Sequence, residues 1–189
     1  MKTMPRIALA LAFLLAVTNI DLAADMVVNP AYAKWAKFKV GTYVKYKKTV
    51  EANGKTTESE LTKTLVEVSS SKAVIETAES ISIVGKKTDV TKTRFEFPAR
   101  IEKFTPMADR KQNLDVQISP QQSEEQITVA GEIIKCKTMT SSFDTGGAEK
   151  AFKTWTNENI PESLVKSDTT FGKPSHQHSV MLLIEKCIK

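Results

Sequence analysis

Apolar and polar residues alternate along most of the chain beyond residue 38, with the two-residue period of a half-buried β-strand. In the segment 38–48, one face holds Phe38, Val40, Val44 and Tyr46, and the opposite face carries several lysines. Such a strand belongs to an antiparallel sheet with one covered side, because strands of parallel sheets are usually covered on both. The pattern therefore predicts an antiparallel strand whose apolar side faces a core.

Turn residues divide the rest of the chain into further strands. Asn53-Gly54 predicts a tight hairpin, because both residues accept the positive φ angle that a two-residue turn requires. The run of four apolar residues at 181–184 predicts a central strand that is covered on both faces. Residues 98–125 predict a long surface excursion with at most a short helix over 100–104. The expected later strands are 56–68, 73–84, 88–97, 127–129, 132–142, 150–157, 164–171 and 180–188.

One short helix is predicted before the first strand. Asn29 is a typical N-cap and Pro30 fits the first helical position. Ala31, Trp35 and Phe38 then share one helical face, and Trp35 is interpreted as a plug of the core. The whole pattern predicts a mainly β protein: a single curved antiparallel sheet, or half-barrel, of about eight or more strands with one or two short helices.

The N-terminus has the layout of a secretory signal peptide. Lys2 and Arg6 precede an unbroken apolar run over residues 7–17, and small residues follow as far as Ala24. The run is shorter than the roughly 20 apolar residues that span a bilayer. An uncleaved anchor or a buried helix is therefore the less favoured interpretation.

We expect residues 1–24 to be removed and residues 25–189 to form a single β-rich domain. Cleavage after Ala33 is the alternative, because Ala31-Tyr32-Ala33 also fits the small-x-small rule. The protein is thus predicted to be exported, either to the periplasm or out of the cell. It is not expected to be an integral membrane protein.

The charge of the chain argues against one class of partner. Lysine and arginine total 27 and aspartate and glutamate 22, a formal net charge of +5 at pH 7. The lysines of residues 34–48 are spread among apolar residues, whereas nucleic-acid binding requires clustered cations with stacking aromatics. We therefore expect solubilising lysines on the exposed side of a sheet and no nucleic-acid partner. Attraction to an anionic envelope surface stays open.

Both cysteines, Cys136 and Cys187, lie in the predicted exported domain. An even cysteine count in an exported chain predicts pairing, because the compartment is oxidising. The alternatives are two free buried thiols or a redox pair, although redox pairs usually form a C-x-x-C motif, which this sequence lacks. We predict a structural disulfide between Cys136 and Cys187.

Candidate chemistry is sparse. His176 and His178 are the two histidines, and alternate residues of a strand point the same way. A zinc site normally uses three or four protein ligands, and a third would have to come from Asp168 or Glu185 through the fold. The sequence also lacks a nucleophile elbow, a phosphate-cradling glycine loop and a zinc-protease helix. We therefore predict no metal, no cofactor and no enzymatic activity.

Trp155 stands at the end of a predicted strand, just before the polar turn 157–159. The Ile160-Pro161 step that follows fixes an extended backbone, because residues before proline avoid the helical region. Proline cannot donate to a sheet ladder, so Pro161 belongs at a strand start or at an edge. Trp155 is expected to fold over Leu164 across the hairpin, as a buried aromatic residue usually does.

Several short segments carry a wider resemblance. They are Gly131-Glu132-Ile133-Ile134-Lys135-Cys136, Lys153-Thr154-Trp155, Ile160-Pro161, Leu164-Val165-Lys166 and the opening stretch 35–46, WAKFKVGTYVKY. In this order they resemble uncharacterised exported bacterial proteins of the lipoprotein-carrier-like (LolA-like) superfamily. The resemblance implies an incomplete antiparallel barrel around one or more helices, and the better-understood members carry acyl chains or lipoproteins on its concave side. This chain departs from them because it shows no long apolar helix that would serve as a plug.

Two hypotheses of different kinds follow. The first is an exported, non-enzymatic binding protein that holds a lipid acyl chain or a lipoprotein on the concave face of the half-barrel. The residues expected to line such a pocket are Phe95, Phe97, Phe152 and Trp155. The second is a structural or interaction protein of the envelope with a filled core and no small ligand. It would meet another protein through its sheet surface or through residues 98–125.

Overall fold

The computed structural model describes most of the predicted exported domain, and most of that chain is β-strand. The described residues are 25–83, 86–103, 120–144, 149–172 and 176–189, so the predicted signal peptide (1–24) and most of the predicted excursion (104–119) lie outside them. The elements are β1 (Met26–Val28), α1 (Pro30–Trp35), β2 (Tyr43–Ala52), β3 (Lys55–Val68), β4 (Lys72–Ile83), β5 (Lys86–Lys87), β6 (Thr91–Pro98), β7 (Arg100–Glu102), β8 (Gln121–Val129), β9 (Glu132–Asp144), β10 (Glu149–Thr156), β11 (Leu164–Phe171) and β12 (Gln177–Cys187).

Ten of the strands form one antiparallel sheet. The order across it is β6-β4-β3-β2-β12-β11-β10-β9-β8, and β5 pairs with β4 on the same edge as β6. The sheet curves strongly, because β8 comes within 8 Å of β12 between Cα atoms although three strands separate them. It does not close into a barrel among the described strands. The predicted fold, a single curved antiparallel sheet with little helix, is confirmed.

The sheet consists of two meanders that are joined in the middle. Strands β2 to β6 follow one another on one side, β8 to β12 on the other, and β12 pairs with β2 between them. β12 is therefore central in the strand order, as predicted. The predicted cover on both faces is not found, because Leu183 is the one residue of 181–184 that is buried. The hairpin between β2 and β3 is also confirmed: Asn53 and Gly54 both have positive φ, 51° and 71°.

The helix and the first strand hold the start of the described chain in place. The Asn29 side chain accepts a hydrogen bond from the backbone N–H of Ala31 (2.9 Å), and Trp35 is fully buried at the helix end. Strand β1 pairs with β7, with Val27 opposite Ile101. The helix predicted over 100–104 is therefore wrong. Residues 100–102 are extended because they find a strand partner at the distant chain start.

In a regular strand, Leu61 and Leu65 of β3 would lie on one side and Val66 and Val68 on the other. A bulge explains this mixed pattern. Leu65 stands opposite Ile75 and Val68 opposite Ala73, so Val66 is an extra residue in the ladder. The bulge reverses the alternation and brings Val68 to the same side as Leu65. Both side chains thereby join one hydrophobic cluster with the buried residues of β4.

The buried side of the sheet changes between the two meanders. Tyr46 of β2 and Leu183 of β12 stand opposite each other, and both are fully buried. We call this side of the sheet face A. When the pairing is followed from β12 through β11 to β10, Thr154 also lies on face A. Trp155 is the next residue and therefore points to the opposite side, face B. It is buried there, with 5% of its surface exposed.

Strand β9 shows the same change of side. Ile134, Cys136 and Thr138 are buried on face B, whereas Ile133 and Met139 on face A are 68% and 47% exposed. Face A is thus covered in β2 and open in β9. A ligand or partner would therefore reach face A in the second meander without displacing the core.

The predicted disulfide is not present: Cys136 and Cys187 are both free thiols. Cys136 lies on β9, and Cys187 lies on β12 opposite Tyr43 of β2. Two strands, β10 and β11, stand between them in the sheet, and neighbouring strands are about 4.8 Å apart. A disulfide requires Cα atoms about 4.4–6.8 Å apart. The prediction failed because cysteine count and compartment say nothing of strand order.

Candidate functional site

The four aromatic residues predicted to line one pocket are not brought together. Phe95 and Phe97 lie on β6 at one edge of the sheet, where Phe97 packs against the core and Phe95 is 48% exposed. Phe152 and Trp155 lie on β10, six strand positions away. They are three residues apart on one strand and therefore point to opposite faces. Each of these two belongs to a separate cluster of aromatic rings and lysines.

The Trp155 cluster on face B consists of Trp155, Glu125, Lys153 and Lys166. The indole Nε1 donates a hydrogen bond to Glu125 Oε2 (2.7 Å), and Lys153 Nζ donates to Glu125 Oε1 (2.7 Å). The ammonium groups of Lys153 and Lys166 lie 4.7 and 4.6 Å from the centre of the indole. Lys153 and then the indole lower the pKa of Glu125. Glu125 thus accepts from both Lys153 and the indole, whereas Lys166 contacts the ring and forms no ion pair within the described ranges.

Trp155 does not fold over Leu164, as the hairpin pattern predicted. A bulge after Trp155 sets it opposite Lys166, and Leu164 stands opposite Thr156 instead. The predicted burial of Trp155 is confirmed. The Ile160-Pro161 step also serves the core, because both residues are buried inside the turn.

The phenylalanine cluster on face A consists of Phe143, Phe152, Phe171 and Lys150. The Phe143 and Phe152 rings stack with centroids 5.5 Å apart, and Phe171 meets Phe152 edge-on at 6.0 Å. Lys150 stands directly opposite both Phe143 on β9 and Phe171 on β11. Its ammonium lies 5.8 and 5.7 Å from the centres of these two rings. All four side chains are half-buried, so the cluster keeps an accessible surface.

Lys150 differs from Lys153 and Lys137, its neighbours on β10 and β9, in its partners. Within the described ranges, its ammonium contacts two rings but forms no ion pair with a carboxylate. Lys153 binds Glu125, and Lys137 binds Glu158 at 3.0 Å. The phenylalanine cluster therefore presents an apolar surface with an uncompensated positive charge.

A groove of about 480 Å³ lies on the same region of face A as the phenylalanine cluster. Met139 and Thr154 stand opposite each other in its wall, and Phe152 is the next residue of β10 on that face. The wall combines the Met139 side chain and threonine methyl groups with charged residues at the rim. Six of its lining residues point to face A, namely Gln122, Glu124, Lys137, Met139, Thr154 and Thr156, whereas the other two, Ser123 and Thr138, belong to face B.

The histidines do not form the paired arrangement that a strand would give them. His176 precedes β12 with a φ of 37°, and only His178 lies on the strand. His178 Nε2 is 2.8 Å from Asp168 Oδ1, a hydrogen-bonded pair. No group of three or more histidine, cysteine or acidic residues suited to a metal ion occurs in the described part of the chain.

Of the residues in the phenylalanine cluster, Phe152 was predicted as a site residue, whereas Phe143, Phe171 and Lys150 were not. Phe143 lies just beyond the predicted end of its strand, and Phe171 is the last residue of the strand that was predicted. The signal that would have found them is the hairpin register: each stands opposite Lys150 on a neighbouring strand. That register was not available because the turns were known only approximately.

Three solved structures resemble this chain distantly. A candidate lipoprotein from Parabacteroides distasonis matches with a TM-score of 0.41 and 12% identity, over 79% of this chain and 96% of that one. A candidate exported protein with a YmcC-like fold from Bacteroides fragilis matches with a TM-score of 0.42 and 10% identity, over 79% and 97% of the two chains. A DUF1329 family protein from Desulfovibrio piger matches with a TM-score of 0.25 and 12% identity, over 82% and 88%.

These values identify neither a family nor a function for the chain, and the LolA-like resemblance stays a prediction. The sequence matches no protein-family description and no curated protein. Among the described residues, none of the helices has both the length and the apolar character needed to cross a membrane.

Proposed function

We propose that this is an exported, non-enzymatic binding protein that holds an acyl chain on face A, against the phenylalanine cluster and along the neighbouring groove. One observation carries the proposal: three phenylalanine rings pack together on the open side of β9, β10 and β11, apart from the buried core. Exposed apolar patches of this kind commonly mark binding sites.

The physical gain from covering the cluster is the burial of ring and methionine surface. Removing apolar surface from water stabilises a complex by roughly 25 cal/mol per Å². Phe152 and Met139 supply such surface, and the threonines beside them tolerate water when the site is empty. The groove volume of about 480 Å³ lies within the range typical of small-ligand sites.

The proposed site differs from the concave pocket that the LolA-like resemblance implies. The side chains of Trp35, Tyr46 and Leu183 fill the buried cluster on the covered part of the sheet. The ligand class therefore follows the resemblance, whereas the position follows the aromatic rings of face A.

A fluorescent fatty acid tests the proposal. Protein 25–189 titrated with dansylundecanoic acid should give saturable, blue-shifted emission. Phe152→Ala should weaken this binding by about tenfold or more, because the central ring of the cluster is lost. Phe95→Ala is the matched control, since Phe95 is an exposed ring at the far edge. Wild-type protein without a saturable signal, or an equal loss in both variants, would refute the site.

Export and processing have their own test. Cleavage after Ala33 would remove β1 and most of α1, and with them the Asn29 cap. Cleavage after Ala24 would leave all of these in place. N-terminal sequencing of protein recovered from outside the cytoplasm of an expressing bacterium should therefore begin at Asp25. A mature protein that begins at Lys34, or one that keeps Met1, would contradict this expectation.

A second candidate function, an envelope interaction module, is favoured by the edge strand β8. One side of β8 pairs with β9, and its other side has no partner strand among the described residues. Such an edge accepts an extended segment of another protein through backbone hydrogen bonds. Three observations together would favour this function. The protein would purify without bound lipid, it would not bind the fatty-acid probe, and it would bind a partner that protects β8 from amide exchange.

A further inference from the structure

We infer that the ligand of face A is a single-chain amphiphile with an anionic head, a carboxylate or a phosphate, and that Lys150 binds that head. This inference rests on the proposed function and adds the chemical class of the ligand and its direction. Its basis is the juxtaposition of an ammonium without a carboxylate partner, two flanking phenylalanine rings and an adjoining groove.

The uncompensated charge of Lys150 is the first step. Lys153, on the same strand but on face B, is neutralised by Glu125 at 2.7 Å. Lys137, at the other end of the groove, is neutralised by Glu158 at 3.0 Å. Lys150 alone of these three meets only rings within the described ranges. An anionic group would find its strongest partner there, because charge-assisted hydrogen bonds are about twice as strong as neutral ones.

The direction of the ligand is the second step. Lys150, Phe152, Thr154 and Thr156 lie on one face of β10 at successive two-residue steps. A head at Lys150 would place the start of its chain over Phe152 and the remainder between Met139 and Thr154, towards Thr156. Lys137, which lines the groove and stands opposite Thr156, pairs with Glu158 at 3.0 Å and so offers less uncompensated charge than Lys150.

The size of the groove is the third step. At about 480 Å³ it lies in the lower half of the range for small-ligand sites, and Thr154 in its wall is two residues from Phe152 on the same face of β10. This space suits one chain better than the two chains of a phospholipid. A single-chain amphiphile also leaves the polar rim, which includes Glu124 and Lys137, in water.

The test compares charged and uncharged probes on matched variants. Dansylundecanoic acid and its methyl ester are titrated into wild-type protein, Lys150→Gln, Lys150→Arg and Lys135→Gln, with folding checked by circular dichroism. In wild type the acid should bind about tenfold tighter than the ester, and Lys150→Gln should abolish that difference while the ester is unaffected. Lys150→Arg should keep the difference because it preserves the charge. Lys135→Gln should also keep it, because Lys135 is an exposed lysine of β9 on face A that does not line the groove.

Two competitors separate the sources of the anion. Lysophosphatidic acid should displace the acid probe, and inorganic phosphate should not. If inorganic phosphate displaced the acid probe, the site would bind free anions and the inference would be overturned. If lysophosphatidic acid did not compete, the site would not accept a phosphate head in place of a carboxylate, which would also overturn the inference.

The remaining outcomes distinguish this inference from the proposed function. If both probes bind wild type equally, or if Lys135→Gln acts like Lys150→Gln, the role of Lys150 is refuted while acyl binding stands. If neither probe binds, the proposed function itself fails.

Discussion

The two sides of β10 carry two clusters of similar composition and opposite character. On face B, Trp155 lies between Lys153 and Lys166, and Glu125 binds both the indole and one lysine. On face A, Phe143, Phe152 and Phe171 surround Lys150, and no acid completes the set in the described chain. In the first cluster the indole is buried and hydrogen-bonded, although the Lys153 and Glu125 side chains around it are 36% and 37% exposed. In the second cluster the rings are half-buried and the lysine has no carboxylate partner among the described residues.

The difference shows how one strand serves both stability and binding. Hydrogen bonds from a buried indole and from Lys153 to one carboxylate fix the packing of neighbouring strands. An open cluster contributes less to the fold and keeps apolar surface and charge available to a ligand. We therefore expect substitution of Trp155 to affect mainly folding, and substitutions in the phenylalanine cluster to affect mainly binding.

The largest expected effect is the loss of Trp155. Trp155→Ala should lower the free energy of unfolding by about 3–5 kcal/mol, the usual cost of removing a large buried ring. Phe152→Ala should lower the free energy of unfolding by only about 1–2 kcal/mol, because the Phe152 ring is partly exposed and each of its aromatic pairs contributes about 1 kcal/mol. Urea unfolding of both variants measures the contrast. Equal losses would show that face A is as structural as face B.

The next effect concerns the reactivity of Cys136, which shares face B with Trp155. Burial raises the pKa of the Cys136 thiol, and the nearby carboxylate of Glu125 raises it further. Alkylation of Cys136 in native protein should therefore be slow, and Trp155→Ala should speed it several-fold by opening the cluster. Peptide mass analysis after timed alkylation gives the rate. Phe152→Ala is the control and should leave the alkylation rate of Cys136 unchanged. If Cys136 were alkylated only after a reductant is added, the thiol would not be free, contrary to the structure.

A smaller effect is expected in the acid dependence of stability. The pKa of Glu125 is held below its ordinary value near 4.5, first by Lys153 and then by the Trp155 indole. A carboxylate with a lowered folded pKa stabilises the fold fully above the unfolded pKa, and this contribution is lost as pH falls through the folded value. The melting temperature of Glu125→Gln should thus be lower than that of wild type at neutral pH, and its decline below pH 4.5 should be shallower.

The control for this experiment is Glu124→Gln. Glu124 is the neighbouring carboxylate of β8 and points to face A, outside the Trp155 cluster. If Glu124→Gln flattens the acid profile as much as Glu125→Gln does, the effect comes from total charge rather than from the cluster.

The smallest expected effect is that of Lys150 on stability. Lys150→Gln should change the free energy of unfolding by less than about 1 kcal/mol, because a solvent-accessible cation–π contact contributes about 0.5–1 kcal/mol. Lys153→Gln should cost more, since it also leaves Glu125 without a cation. Thermal melts of both variants make the comparison. A larger loss for Lys150→Gln would mean that the charge on face A holds the sheet together.

Sequence periodicity predicted most of the strands, because each alternates between a covered and an exposed side. It also predicted the hairpin at Asn53-Gly54 and the central place of β12, where the local pattern is decisive. It failed where a distant partner decides the conformation. Residues 100–102 form β7 because β1 pairs with them, and nothing in their own sequence announces that.

The candidate site was harder to predict than the fold. Phe152 and Trp155 were assigned to one pocket although a spacing of three residues on a strand separates them onto opposite faces. The phenylalanine cluster depends on the pairing of Lys150 with Phe143 and Phe171. Such cross-strand neighbours emerge only once the hairpin register is known.

The pairing of β12 with β2 has a consequence for the time course of folding. The middle ladder joins Tyr46 to Leu183, almost the two ends of the described chain. Closing so long a loop costs chain entropy before the hydrogen bonds of the ladder form, and this slows folding. If the chain emerges from a translocation channel N-terminus first, one edge of β2 has no hydrogen-bonding partner until β12 has emerged. During that interval the nascent polypeptide is most exposed to mispairing with its neighbours, and a chaperone that binds β2 would protect it best then.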